Sequence, residues 1–304
     1  MPEVVNIVPS VAQDNWHWRA DLELILSNNM RGTRLTRNRH TGPLYVQKPF
    51  YPEGRDCAHI YLLHPPGGLV SGDALTVDVT LKQNTHAVIT TPGAARMYKA
   101  RKASPVQKQK NYLQVHDNAV LEWFPMEAIV YNGAAAELET TIALGDDSQC
   151  MAWEITCFGL SASEEPFNQG YFKQAYRIEK KGLPVFIDRL DYHAENRTLF
   201  EGKAGIQANT VSGFFIAGPF SEDTNTEKKE CIADESRELI KSMNSIASDN
   251  LVSQLSVTWV DDFCVVRYLG QSAYTCRKAF TLLWKQLRPE LISKEAVEPR
   301  IWAT

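Results

Sequence analysis

The chain has 304 residues, 44% of them hydrophobic, with 32 basic and 36 acidic side chains, a formal net charge of −4 and a pI near 6.0. This length can bury a substantial core, and the mild acidity gives no sign of a nucleic-acid or anionic-membrane partner. No run of about 18 apolar residues could span a bilayer, and no basic segment followed by an apolar one opens the sequence, so we expect a cytoplasmic protein.

No linker divides the chain, and we predict a single domain over residues 1–304. The least hydrophobic stretch, residues 221–230, is too short for an interdomain tether and is predicted to be an exposed loop before a helix. The six cysteines lie far apart and form no C-x-x-C pair, which argues against a zinc ribbon and a disulfide framework. We expect reduced, mostly buried thiols.

In chain order, a basic run at residues 31–40 comes first and is interpreted as a solvated strand face, with a binding patch as the alternative. The most informative segment follows, a loop made of His64, Pro65, Pro66, Gly67, Gly68, Leu69, Val70, Ser71, Gly72 and Asp73. Its prolines fix φ and its glycines permit positive φ or a close backbone approach, so the loop is shaped rather than slack. It lacks the Lys-Ser or Lys-Thr ending and the following helix that a nucleotide-binding loop requires.

Alternating apolar and polar residues predict strands along most of the remaining chain. Residues 75–81 alternate, with Asp73 at the strand entrance, as do residues 138–144 and 151–157, where Glu154 is expected to point away from the apolar face. Further strand-like runs are 87–91, 112–116, 120–124, 128–131, 171–178, 185–190, 211–217, 255–260 and 263–268.

Only two segments have helical periodicity, at about residues 234–248 and 272–288, and Pro289 is expected to end the second. Many short strands followed by two helices predict a mainly β fold with two α-helices toward the C-terminal part.

Several multi-residue blocks resemble, in the same order, the urease accessory protein family UreD, also called UreH. The blocks are residues 33–35, 40–54, 64–75, 90–99, 121–125, 131–134, 287–289 and 299–304, so the resemblance covers nearly everything after about residue 20. The chain departs from the family pattern at Ser71, at Arg96-Met97 and at Asn132, where the family usually has Gly, Lys followed by an aromatic residue, and Asp. The resemblance implies β-helix-like stacked sheets with two α-helices packed near the carboxyl end.

The histidines form no H-x-H or H-E-x-x-H pattern that would indicate a metal site. Cys57 and His59 would share a strand face, but two ligands are an incomplete site, and the family often has Cys where this chain has Ala58. His64 is interpreted as a side chain fixed against the Pro-Pro turn. No tight metal cage is therefore predicted.

Carboxylates near hydrophobic segments are the other candidates: Asp73, Glu122, Glu127, Glu154, Glu165 and Asp188. Each has a structural interpretation. Asp73 would cap its turn, Asp188 would pair with a basic side chain, and the others would face solvent.

The resemblance implies a non-enzymatic scaffold that binds UreF, through UreF the GTPase UreG, and apo-urease, so that nickel reaches the urease active site through an internal passage. By motif match, Asp73, Glu154 and Asp188 occupy acidic positions of that passage, and weak, sequential carboxylate ligands suit the transit of a dication. No cofactor would be tightly bound and Ni²⁺ would be transient. Tyr98, Arg300 and Trp302 are predicted partner contacts, and the family's two-fold assembly implies two copies.

Two alternatives come from other classes. One is a β-rich hydrolase that uses Asp73 with Glu127 or Asp188 as acid and base. The other is a β-rich binding module with no metal role.

Overall fold

The computed structural model describes residues 18–303, except residues 103–104, 161–162, 164, 222–223, 225 and 247–253. The strands are β1 (Arg19–Asn29), β2 (Gly32–Thr41), β3 (Cys57–Tyr61), β4 (Gly68–Leu69), β5 (Ala74–Leu81), β6 (His86–Thr90), β7 (Ala95–Met97), β8 (Gln107–Val115), β9 (Val120–Phe124), β10 (Ala128–Val130), β11 (Ala135–Leu144), β12 (Gln149–Leu160), β13 (Glu165–Pro166), β14 (Tyr171–Lys180), β15 (Leu183–His193), β16 (Val211–Gly218), β17 (Gln254–Val260) and β18 (Phe263–Gly270). The helices are α1 (Arg197–Glu201), α2 (Thr226–Ile246), α3 (Ala273–Ile292) and a 3₁₀ helix (Arg300–Ala303).

The strands form two sheets, and the chain moves repeatedly from one sheet to the other. The first sheet has the order β15-β14-β11-β8-β5-β1-β2, with parallel pairing from β1 to β14 and antiparallel pairing at both edges. The second has the path β17-β18-β16-β12-β10-β7-β4, and β9, β6 and β3 extend from β12 as parallel neighbours. Strands β5, β8, β11 and β14 of the first sheet alternate along the chain with β6, β9 and β12 of the second. The predicted mainly β fold with β-helix-like stacked sheets is confirmed.

Two apolar layers hold the fold together. The first lies between the sheets and includes Leu22, Val77 and Leu121, all nearly inaccessible to solvent. In β5 every second side chain enters this layer, as the alternation predicted. The second layer lies between the outer face of the second sheet and α3, where Phe280 and Trp284 are fully buried. Each buried aromatic side chain of this kind contributes roughly 1.5–3 kcal/mol.

Strand β12 lies between the two layers. Ala152 faces the first layer and Trp153 the second, and both are fully buried. Both faces of this strand are covered, and the expectation that Glu154 faces away from the core into solvent is wrong: its exposed fraction is 5%.

The helices differ from their predicted bounds. Helix α2 begins at Thr226, so the second half of the predicted 221–230 loop is helical, because Glu and Lys are good helix formers despite their polarity. Helix α3 contains Pro289 and ends three residues later, at Ile292. The next residue, Ser293, adopts a left-handed conformation and donates its N–H to the Pro289 carbonyl at 2.9 Å. Ser272 caps its N-terminus by accepting from Thr275 N at 3.2 Å.

Helix α1 was not predicted from the sequence. Its five residues have no side-chain cap and no acidic residue in the first turn, so the usual start signals are missing. In the part of the chain that the structure describes, no helix is both long enough and apolar enough to cross a bilayer.

Candidate functional site

The Pro-Gly loop is built as its sequence predicted, and it includes one short strand. Gly67 has φ of 71° and donates its N–H to the His64 carbonyl at 2.8 Å, which closes the turn. Gly68 begins β4 and lies so close to the neighbouring strand that a Cβ there would be 2.5 Å from a Tyr98 ring carbon. Glycine at this position therefore permits the contact between β4 and β7.

Asp73 fixes the far end of this loop. Its carboxylate accepts hydrogen bonds from Val70 N at 2.9 Å and from Trp18 N at 3.2 Å, and the residue is 5% exposed. It therefore caps the turn before β5, in agreement with the structural interpretation.

A chain of polar side chains crosses the apolar layer between the two sheets. Gln109 donates to Asn111 at 3.3 Å, and Asn111 donates to the Thr140 hydroxyl at 2.9 Å. The Thr140 hydroxyl donates to one oxygen of Glu154, and the Gln174 amide donates to the other. We call these five residues the polar track. They come from β8, β11, β12 and β14, whose pairing register places Asn111 beside Thr140.

A cavity lies at each end of the polar track. The larger, about 630 Å³, is lined by Glu154, Gln174 and Asp188 among others. The smaller, about 240 Å³, lies under the Pro-Gly loop and is lined by His64 and Gln109 among others. The track is thus a hydrogen-bonded polar connection between two separate cavities.

The larger cavity holds two of the three predicted acidic positions. Burial raises the pKa of Glu154 to about 7; the hydrogen bonds from Thr140 and Gln174 oppose this, and the charge of Asp188 adds to it. Asp188 itself is held by Arg267, with N–O distances of 2.8 and 3.2 Å.

The third acidic position, Asp73, is not among the described residues that line either cavity. Its charge does reach the smaller cavity. Burial lowers the pKa of His64, and the charge of Asp73 partly offsets that effect.

A second polar cluster, which we call the charged clamp, lies on the opposite face of the second sheet and was not predicted from the sequence. It consists of Glu53, Cys57, His59, His86, Glu122 and Arg288. Cys57, His86 and Glu122 stand on the adjacent parallel strands β3, β6 and β9. Glu122, expected to face solvent, is fully buried instead.

Arg288 of α3 joins the two carboxylates of the charged clamp. Its guanidinium contacts Glu122 at 2.9 to 3.1 Å and Glu53 at 2.7 Å. His86 bonds Glu122 at 2.6 Å, and the Trp284 indole N–H donates to the same carboxylate. Burial opposes ionisation, but His86 and Arg288 outweigh it and lower the pKa of Glu122. The sequence had indicated the shared strand face of Cys57 and His59 and named Glu122 as a candidate carboxylate, but not that Glu53, His86 and Arg288 join them.

The predicted partner contacts lie in different surroundings. Tyr98 is half-buried and packs on Tyr131 at a ring distance of 5.1 Å, whereas Arg300 is exposed. Trp302 is half-buried against Trp153 and Trp284, and its indole N–H donates to the Thr90 hydroxyl at 2.9 Å. The 3₁₀ helix is thereby attached to the second apolar layer.

The carboxylates proposed for a hydrolase each have a different neighbour. Asp73 accepts from backbone amides, Glu127 lies 3.7 Å from Arg277, and Asp188 pairs with Arg267. An acid and base acting on one bond would instead need to face each other across a cleft.

Fold and site together define a β-rich protein of two stacked sheets with a polar track through its interior. Residues 19–303 match the family model described as UreD urease accessory protein. The chain is 46% identical over 300 residues to a urease accessory protein UreD of Marinomonas sp. strain MWYL1, covering 98% of this chain and 93% of the relative. It is also 38% identical to a UreD of Psychromonas ingrahamii, with 99% of both chains covered, and 36% identical to one of Saccharophagus degradans, with 99% and 98% covered.

The chain belongs to the UreD family of urease accessory proteins, and the resemblance read from its motif blocks is confirmed.

Proposed function

We propose that this chain is a non-enzymatic scaffold of urease maturation that carries nickel between its two sheets. In this proposal it binds UreF, through UreF the GTPase UreG, which supplies GTP hydrolysis, and apo-urease. Two copies take part in a two-fold assembly. The protein acts in the cytoplasm without a nucleic-acid or membrane partner, and Ni²⁺ is its transient cargo, not a tightly bound cofactor of the proposed passage.

The polar track is the observation that carries this proposal. The layer between the sheets consists mainly of apolar side chains such as Leu22, Val77 and Phe172, and unpaired polar groups there are costly. A row of amides, a hydroxyl and a carboxylate in that layer supplies oxygen ligands that replace hydration water one after another. Such oxygen ligands hold a borderline cation weakly, which favours transit over storage.

Glu154 supplies the carboxylate ligand of the track. Its donors Thr140 and Gln174 are both neutral, so the side chain has no resident cation of its own. Asp188, in the same cavity, would exchange Arg267 for the passing ion. Asp73 acts at the other end, where it shapes the loop over the smaller cavity.

The test is nickel loading of urease in cells that carry the urease subunits and all accessory proteins, with Glu154→Gln in place of the wild-type chain. Glutamine retains the shape, and Gln174 can turn its amide to accept a hydrogen bond, so the fold should be preserved. We expect nickel per urease active site to fall roughly tenfold, which corresponds to about 1.4 kcal/mol. Co-purification with UreF should be unchanged.

The matched control is Glu139→Gln. Glu139 is a half-exposed glutamate of β11 that pairs with Lys110 at 3.0 Å and does not belong to the polar track. It should leave nickel loading at the wild-type level. Equal loading by both variants would refute the passage and leave the binding-module alternative standing.

Partner binding is tested separately. Arg300→Glu reverses the charge of the exposed first residue of the 3₁₀ helix, so it should weaken UreF co-purification without unfolding the chain. Undiminished co-purification would remove this residue from the predicted interface.

A further inference from the structure

The charged clamp contains a compact set of sulfur, nitrogen and oxygen donors. The Cys57 thiol, a ring nitrogen of His59 and a carboxylate oxygen of Glu53 all lie within 4.8 Å of one another. Cys57 and His59 are two residues apart in β3 and are both buried, so they project from the same face. That face is turned toward α3, whereas the polar track lies on the other side of the sheet.

Glu53 turns one of its carboxylate oxygens toward the other two donors. Its Oε2 is held by Arg288 at 2.7 Å, while Oε1 faces the Nε2 of His59 at 2.7 Å and the thiol at 3.5 Å. Arg288 therefore orients the carboxylate in the way that outer residues orient metal ligands. Glu122 is different, because His86, Trp284 and Arg288 already occupy both of its oxygens.

Only one of the two ring nitrogens of His59 contacts a polar group among the described residues. The ring is fully buried, and its Nδ1 finds no hydrogen-bond partner within the part of the chain that the structure describes. Its single polar contact is with Glu53, which would itself become a ligand. Metal binding would therefore cost this ring no other interaction.

The fixed charges also favour a cation. Two carboxylates, Glu53 and Glu122, face one guanidinium, which leaves one negative charge in a buried cluster. A dication bound with the thiolate of Cys57 adds one positive charge, which cancels the negative charge left by the carboxylates and the guanidinium. The thiol proton leaves to solvent. A fourth donor is available, since His86 lies within 4.8 Å of the same thiol.

We propose that Cys57, His59 and Glu53 form a structural site for a zinc-type divalent cation that joins the turn before β3 to the strand. Thiolate, imidazole and carboxylate together are the donor set that tetrahedral zinc takes in proteins. The site is independent of the proposed nickel passage, because it lies on the opposite face of the sheet.

The test uses the purified full-length chain, stripped with a chelator and titrated with Zn²⁺ against a chromophoric competitor. We expect one zinc per chain. With Co²⁺ as the probe, a thiolate-to-cobalt charge-transfer band should appear. The variant Cys57→Ser should lose that band and bind zinc at least about 100-fold more weakly.

Cys264→Ser is the matched control, since Cys264 is equally buried in the second apolar layer but belongs to neither of the donor sets found among the described residues. It should bind like the wild type. Glu53→Gln, in the partly exposed turn, is a second variant that should weaken binding if Cys57→Ser fails to fold. Absence of stoichiometric zinc in the wild type, or wild-type affinity in Glu53→Gln, would overturn the site. Tighter binding of Ni²⁺ than of Zn²⁺ would overturn the zinc assignment.

Discussion

Replacing Arg288 with Met is the sharpest test of how α3 is held to the second sheet. Methionine fills most of the volume but leaves the carboxylates of Glu122 and Glu53 without their cation. Both partners are deeply buried, with side-chain exposures of 0% and 8%. Removing one partner of a buried ion pair costs about 3–5 kcal/mol, because the remaining charge is uncompensated.

The pKa of Glu53 supports a value in this range. Burial opposes ionisation, but the His59 hydrogen bond and the charge of Arg288 together lower the pKa from 4.5 to about 2, which is worth about 3 kcal/mol at neutral pH. Arg288 supplies only part of the pKa shift of Glu53. Glu122 would lose its hydrogen bonds from Arg288 but keep its contacts with His86 and Trp284. We therefore expect Arg288→Met to lower the free energy of unfolding by about 4 kcal/mol.

The assay is urea unfolding followed by tryptophan fluorescence and circular dichroism, with Arg277→Met as the control. Arg277 lies in the same helix but is only half-buried, 3.7 Å from Glu127, so its loss should cost less than about 1 kcal/mol. Because the clamp carboxylates have lowered pKa values, their contribution is present above about pH 4.5 and is lost as the pH falls toward 2. The difference between wild type and variant should therefore narrow in acid. A cost under 1 kcal/mol at neutral pH, or one independent of pH, would refute the reasoning.

Three further predictions concern the loop, the polar track and the C-terminal anchor. Gly68→Ala should destabilise the fold by about 1–3 kcal/mol, because its Cβ would meet the Tyr98 ring. Gly67→Ala has space for its Cβ but a positive φ, so it should cost about 1 kcal/mol or less; thermal unfolding compares the two variants. Burial raises the pKa of Glu154 to about 7, so its contribution to wild-type stability is fully present below pH 4.5 and declines as the pH rises through 7. In urea unfolding, Glu154→Gln should therefore be as stable as the wild type at pH 4 and more stable than it by up to about 3 kcal/mol at pH 8. Trp302→Ala should cost about 2 kcal/mol in the same assay, through lost packing and the lost hydrogen bond to Thr90. This is less than the loss of a fully buried tryptophan would cost, because Trp302 is half-buried. An unchanged unfolding midpoint would show that the 3₁₀ helix is not anchored through this side chain.

The sequence predicted the strands well because alternation is a local signal. In β5 the apolar side chains are all buried and their neighbours half-exposed, as expected. The same alternation misled for β12, because the periodicity of one strand cannot show that the first sheet covers one of its faces and α3 the other. It also failed at residues 226–230, whose polarity fits both an exposed loop and the exposed side of a helix.

For the candidate site, sequence reasoning found individual residues but not their partners. Glu154 and Asp188 were identified by family resemblance, and the structure brings both to one cavity. From Glu154 the polar track continues through Thr140, Asn111 and Gln109, polar residues on two neighbouring strands that no motif had indicated. Their relation depends on sheet register, which a single sequence does not contain.

The two buried glutamates of the second sheet show how the same side chain takes different roles on opposite faces. Glu122 receives a guanidinium, an imidazole and an indole N–H, and its pKa is lowered. Glu154 receives only a hydroxyl and an amide, and its pKa is raised to about 7. Glu122 is thus compensated within the fold, and adding a cation there would displace Arg288. The free-energy cost of burying the ionised Glu154 carboxylate is not offset by a positively charged neighbour. A carboxylate of this kind, next to a cavity, suits the role of transient cation ligand that we propose for Glu154.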